Sequence, residues 1–138
     1  MNRITKGSIE AEISNATVKL QREHLGRGAT DVRAFLVGDL VIVRCTGIFT
    51  PTEARLVATD DGQRLIRQTR EELRHIVREE MENSIADVTG AKVLRSYADM
   101  NVQASELIEI YVLDEDVEKK LLRQDLDRLG GIMPTKRL

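Results

Sequence analysis

The sequence predicts an α+β fold in the order helix, hairpin, long helix, hairpin, helix, with a four-stranded, mostly antiparallel sheet carrying the helices. Three observations predict it. β-Branched and apolar runs occur as two neighbouring pairs, 31–37 with 40–48 and 91–100 with 106–114. Before, between and after these pairs, apolar residues recur at spacings of three and four. Thr50-Pro51-Thr52-Glu53 also has the form of a capping box with proline at the first helical position, which places a helix start directly after the first pair.

Taken in order, residues 8–25 carry Ile9, Ile13, Ala16 and Leu20 on one stripe, with Ser8 as the expected N-cap and Gly26 as the left-handed C-cap. Gly26-Arg27-Gly28-Ala29-Thr30 is then a turn. Gly38-Asp39 between the first two strands is a type II′ hairpin signal. Leu40 and Ile42 point to one face of the second strand, and Val41, Val43 and Cys45 to the other. The long helix is expected from the capping box to about Val88, bent or split at Asp60-Asp61-Gly62 with an aspartate capping the second half. Its apolar face is Ile66, Leu73, Val77, Met81, Ile85 and Val88, closed by Thr89-Gly90. In the last strand Ile108, Ile110 and Val112 oppose Leu107, Glu109, Tyr111 and Leu113. Residues 116–129 form the final helix, and the tail IMPTKRL, 132–138, is expected to be mobile. No linker divides the chain, so residues 1–138 read as one domain, with a core at 8–114 and the last helix and tail at 115–138.

The 138 residues are 41% apolar and 32% charged with a net charge of -2, which fits a soluble globular domain without a strong field for nucleic acid or an anionic membrane. No apolar run is long enough to insert in a membrane, and the start of the chain lacks the pattern of a signal peptide. A single cysteine, Cys45, inside an apolar strand fits a reducing cytoplasm. With no tryptophan and four other aromatics, there is little material for stacking on bases.

Candidate sites weigh towards architecture. Gly26-Arg27-Gly28 lacks the preceding strand and third glycine of a dinucleotide loop. Arg67, Arg70, Arg74 and Arg78 share a helical face, but Glu71 and Glu82 stand where they would pair with Arg67 and Arg78. His24 and His75 have no neighbouring ligand at metal spacing, so no metal and no cofactor is expected. Cys45 reads as a core residue, and the acids at 114–116 as helix caps. No nucleophile, base and orienting group come together, so no catalytic residue and no enzymatic activity is expected. Arg27, Arg33, Arg44 and Arg95 lie beside or within apolar strands, where an unpaired charge is costly. They are the residues of an alternative reading as a small-anion or small-ligand sensor. A second alternative, weak nucleic-acid binding through the arginine face of the long helix, is opposed by the overall charge.

The second face of the sheet is the informative part. Phe35, Val37, Leu40, Ile42, Tyr97, Leu107, Tyr111 and Leu113 are assigned to it, a larger apolar area than a monomer leaves in water. Helix 1, the C-terminal helix or a second subunit must cover it; a homodimer or higher homo-oligomer is expected, with cover by the terminal helices of the same chain as the alternative.

The stretch 26–56 resembles the signature of the MpsC-like family: G-R-G, a strand, G-D, a second strand, then G-x-x-T-P-x-E and an apolar helix. Gly26, Arg27, Gly28, Gly38, Asp39, Gly47, Thr50, Pro51, Glu53 and Leu56 match it, and so do Gly62, Leu65, Ile66, Arg70 and Thr89-Gly90 further on. Ala29 stands where the family usually has proline, and the last helix lies outside the match. The resemblance implies a component of a bacterial sodium-dependent, membrane-potential-generating system for bicarbonate uptake, without established catalytic residues. It would be an accessory subunit that meets a membrane transporter at the inner face of the membrane.

Overall fold

The computed structural model describes residues 3–130, so the 132–138 tail lies outside the described residues. The elements run α1 (Lys6–Leu25), β1 (Asp31–Val37), β2 (Leu40–Thr46), α2 (Pro51–Leu56), α3 (Asp60–Thr89), β3 (Val93–Asn101), β4 (Glu106–Leu113) and α4 (Val117–Gly130). The four strands form one sheet in the order β1-β2-β4-β3, and all three pairings are antiparallel. This is the predicted α+β fold.

Local signals set the boundaries, with three corrections. Thr5 rather than Ser8 caps α1: Ser8 is the third helical residue, and the two hydroxyls exchange bonds with each other's backbone amides. The long helix is split. Leu56 ends α2, and Thr59, not an aspartate, caps α3 through its hydroxyl to the Gly62 amide. Asp60 and Asp61 fill the first turn, where their charges meet the positive helix end. The second strand stops at Thr46, because Gly47 (φ 64°) turns the chain out of the ladder. Gly26 and Gly90 close α1 and α3 as left-handed caps, and positive φ at Gly38 but not Asp39 fits the type II′ hairpin.

Gly62 has a packing role. A Cβ there would overlap the Leu56 carbonyl, so α3 can start against the end of α2 only without a side chain. Gly62→Ala is expected to cost about 1–3 kcal/mol in urea unfolding. Gly7→Ala is the control: its Cβ would meet only Thr5 Oγ1, at 3.9 Å, and it gains a few tenths of a kcal/mol from helix propensity, to order of magnitude.

The core lies between one sheet face and the helices α1 and α3. Ile9 and Ile13 of α1, Ile66, Met81 and Ile85 of α3, and Leu36, Val41, Val43, Cys45, Tyr111 and Leu113 of the sheet are buried there. Helix α1 also seals the β1 edge. Ser14 Oγ accepts from the Ala34 amide at 3.1 Å and Glu10 Oε2 from the Leu36 amide at 2.8 Å, so this edge is closed to another strand. Helix α4 is anchored at the β1–β2 hairpin. Its Glu118 accepts from the Gly38 amide at 3.0 Å and from Lys6 Nζ at 2.7 Å, while Val117 is buried. Asp116 caps the helix and Asp114 accepts from the Lys92 amide, so those acids do serve as caps and ties.

Candidate functional site

The β2–α2 corner is built round one carboxylate. Glu53 closes the capping box with Thr50, accepting from its amide at 2.9 Å while Thr50 Oγ1 accepts from the Glu53 amide. The same carboxylate receives Arg70 Nε at 2.8 Å and Nη2 at 2.6 Å, a fork-to-fork pair. Arg70 Nη2 also donates to the Ile48 carbonyl, and its guanidinium lies 5.8 Å from the Phe49 ring centre. Glu53 thus starts α2, receives α3 and fixes the corner.

Burial opposes ionisation of Glu53, but Arg70 and the Thr50 amide outweigh it, and its pKa is lowered. A carboxyl more acidic folded than unfolded contributes stability that is complete above the ordinary glutamate range. That contribution is lost as pH falls through the lower folded value. Acid unfolding of the wild type is therefore expected to be steeper than that of Glu53→Gln, whose stability is lower at neutral pH and changes less with acid. Parallel denaturant titrations across the acid range check this.

The middle of α3 turns a second arginine inward. Arg74 Nε donates to Glu109 Oε2 at 2.8 Å, and Nη2 to Ser96 Oγ at 3.1 Å. Glu109 is only 8% exposed, in the middle of β4 on the helix-covered face. Beside it, burial and then the Glu109 charge push the Tyr111 hydroxyl well above its usual pKa. Burial, with Glu109 adding to it, pushes Cys45 up to about 12, so this thiol is a core residue and not a nucleophile.

Around this layer lies a cavity of about 140 Å³, between the second half of α1, the middle of α3, and β3 and β4. It explains why Leu73 and Val77 are half-buried, whereas Ile66, Met81 and Ile85 on the same stripe are buried. At its end on α1, His24 Nε2 lies 3.2 Å from Glu80 Oε1, and Glu23 joins them within 4.8 Å. The sequence kept these groups apart, because Glu80 comes from another helix. All three are exposed, and such groups commonly meet without an ion.

No described helix lies over the opposite sheet face. Register arranges it in rows across four strands: Val37–Leu40–Val112–Arg95, then Phe35–Ile42–Ile110–Tyr97, then Arg33–Arg44–Ile108–Asp99. Phe35, Val37, Tyr97 and Ile108 are 40%, 50%, 57% and 37% exposed. Five residues assigned to this face are here: Phe35, Val37, Leu40, Ile42 and Tyr97. Leu107, Tyr111 and Leu113 are not. Their partners Cys45, Val41 and Val93 face the helices, so these three lie in or against the core, and Ile108, Ile110 and Val112 take their place outside.

Of the four arginines of the alternative ligand reading, only Arg33 and Arg44 are brought together, as directly opposed residues of β1 and β2. Arg27 donates to the Gly28 and Phe49 carbonyls. Arg33 pairs with Asp31 at 3.0 Å and Arg44 with Glu106 at 2.8 Å, which offsets the repulsion of two directly opposed cations. Arg95 is exposed at the end of its row, with no ion pair among the described residues. The helix-borne arginines are not the self-paired face expected either. Of Arg67, Arg70, Arg74 and Arg78, only Arg78 with Glu82, at 3.9 Å, follows that pattern, while Arg67 donates to the Met100 carbonyl, Arg70 reaches the half-buried Glu53 and Arg74 the buried Glu109.

The positions that carry the family resemblance fall on these structural joints. Gly47 and Gly62 make close approaches, and Thr50, Pro51, Glu53 and Arg70 make the corner. The sequence model of the family described as "Na+-translocating membrane potential-generating system (MpsC)" matches residues 5–115. The chain is also 35% identical over 117 residues to "Uncharacterized protein YbcI" of Bacillus subtilis (strain 168), covering 85% of this chain and 94% of that protein. No solved structure matches it. No described helix is long and apolar enough to cross a membrane.

Proposed function

This chain belongs to the MpsC family, and from that premise we propose that it is a non-enzymatic accessory subunit of a Na+-translocating, membrane-potential-generating system. It works by protein–protein association at the cytoplasmic face of the membrane, in support of sodium-dependent bicarbonate uptake. Its first partner is a second copy of itself, and the pair docks on a membrane subunit.

The observation that carries this reading is the open sheet face. Two adjacent rows, centred on Leu40–Val112 and on Ile42–Ile110, are apolar across nearly the whole sheet, and all the described helices pack elsewhere. A charged row borders them, the anatomy of an apolar interface core with a polar rim. The inward turn of Arg70 and Arg74 supports association with protein over nucleic acid, since it removes the arginine ladder that phosphates would need.

The test is affinity purification of the tagged chain from mild-detergent extracts of its own cells grown under inorganic-carbon limitation. The expected result is co-recovery of an integral membrane protein that conducts Na+ after reconstitution, with recovery reduced at least tenfold, to order of magnitude, by Ile110→Lys on the open face. Recovery of the chain without such a protein overturns the proposal.

A further inference from the structure

We propose that the cavity between α1 and α3 binds a short-chain carboxylate, with an alkyl body of about six carbons inside and its charged end at Arg67. This site is on the opposite side of the sheet from the association face and does not depend on the proposed function.

Size and shape come first. The cavity measures about 140 Å³, close to the roughly 150 Å³ at which an apolar protein cavity takes up a six-carbon ring. It runs beneath α3 from Arg67 to Arg78, which the helical rise of about 1.5 Å per residue spreads over about 16 Å. A slender chain fits that outline better than a disc.

The chemistry of the walls sets the orientation. Deep in the cavity the polar atoms are already engaged. Thr17 Oγ1 donates to the Ile13 carbonyl. Gln21 uses its carbonyl on the Ala29 amide and its NH2 on Cys45 Sγ. Arg74 and Glu109 satisfy each other. What remains on offer inside is apolar, from Leu73, Val77, Met81 and Leu107, so the interior favours a ligand body without polar atoms.

The mouth is different. Arg67 is exposed there, and its one bond among the described residues is to a neutral carbonyl, that of Met100, at 3.1 Å. Its charge has no carboxylate partner among the described residues, although Glu71 stands one turn on. A ligand carboxylate at this point gives the guanidinium the fork-to-fork partner it lacks. Arg70 and Arg74, each already bound to a glutamate, offer no such gain.

The test is a methyl-resolved NMR titration of the whole chain with hexanoate, hexanol and bicarbonate. Hexanoate is expected to shift the methyls of Leu73, Val77, Met81 and Leu107. Hexanol should shift the same methyls with about three- to fivefold weaker affinity, the worth of one solvent-facing ion pair. Bicarbonate, which has no alkyl body, should leave them unmoved. Val77→Phe fills the cavity and should abolish both responses. Arg67→Gln, at an exposed position that does not threaten folding, should bring hexanoate down to the affinity of hexanol. Absence of methyl shifts with hexanoate overturns the site, and so does a response to bicarbonate. Hexanoate and hexanol binding equally, with no effect of Arg67→Gln, overturns the carboxylate assignment.

Discussion

Arg74→Met is expected to cost about 2–4 kcal/mol. Glu109 sits on the covered sheet face, 8% exposed, and its carboxylate is bonded to Arg74 at 2.8 Å. Without the guanidinium, that carboxylate must stay charged with no counter-ion, take up a proton, or pull β4 towards water, and each is costly. Removing both partners is different. Arg74→Met with Glu109→Leu fills the same space with apolar atoms, and is expected to recover half or more of the loss. Urea unfolding of the two single variants and the double variant gives the coupling directly. A double variant as unstable as Arg74→Met would mean that the pair is not the source of the loss.

On the other side of the sheet, Ile110→Lys is expected to weaken self-association by about a hundredfold or more while leaving the fold intact. Ile110 is the third residue of the Phe35–Ile42–Ile110–Tyr97 row, so an ammonium there stands in the centre of the proposed interface, where charge is least tolerated. In the free subunit the position faces solvent, and a lysine stem can lie along Ile42 with its charge in water. Arg33→Ala, at the rim, is the companion variant, and a change of only a few-fold is expected. Sedimentation velocity over a concentration series, with far-UV circular dichroism as the check on folding, measures both. Equal dissociation of the two variants would place the interface elsewhere.

The elements were legible because their signals are local. The Gly38-Asp39 hairpin, the Thr50-Pro51-Thr52-Glu53 box and the Gly26 and Gly90 caps each need only a few consecutive residues, and the structure has all of them. What failed depends on contacts distant in sequence. Alternation in β4 separates Leu107, Tyr111 and Leu113 from Ile108, Ile110 and Val112, but it does not say which set meets the helices. Pairing with β2, more than 60 residues earlier, decides that. Arg70 and Arg74 look surface-paired on a helical wheel with many glutamates. Their actual partners, Glu53 and Glu109, lie 17 residues before and 35 after them. The cavity is the least legible feature. It arises because α3 meets the core at Ile66 and again from Met81 onward and stands clear between, and no residue pattern announces a gap.

The proposed dimer joins two copies of this chain through the sheet face that no described helix covers. The most direct measurement is the molar mass of the wild-type protein in solution, by sedimentation equilibrium at micromolar concentration. The expected result is twice the 15.6 kDa chain mass, or a higher multiple. A mass of 15.6 kDa that persists as concentration rises would contradict it.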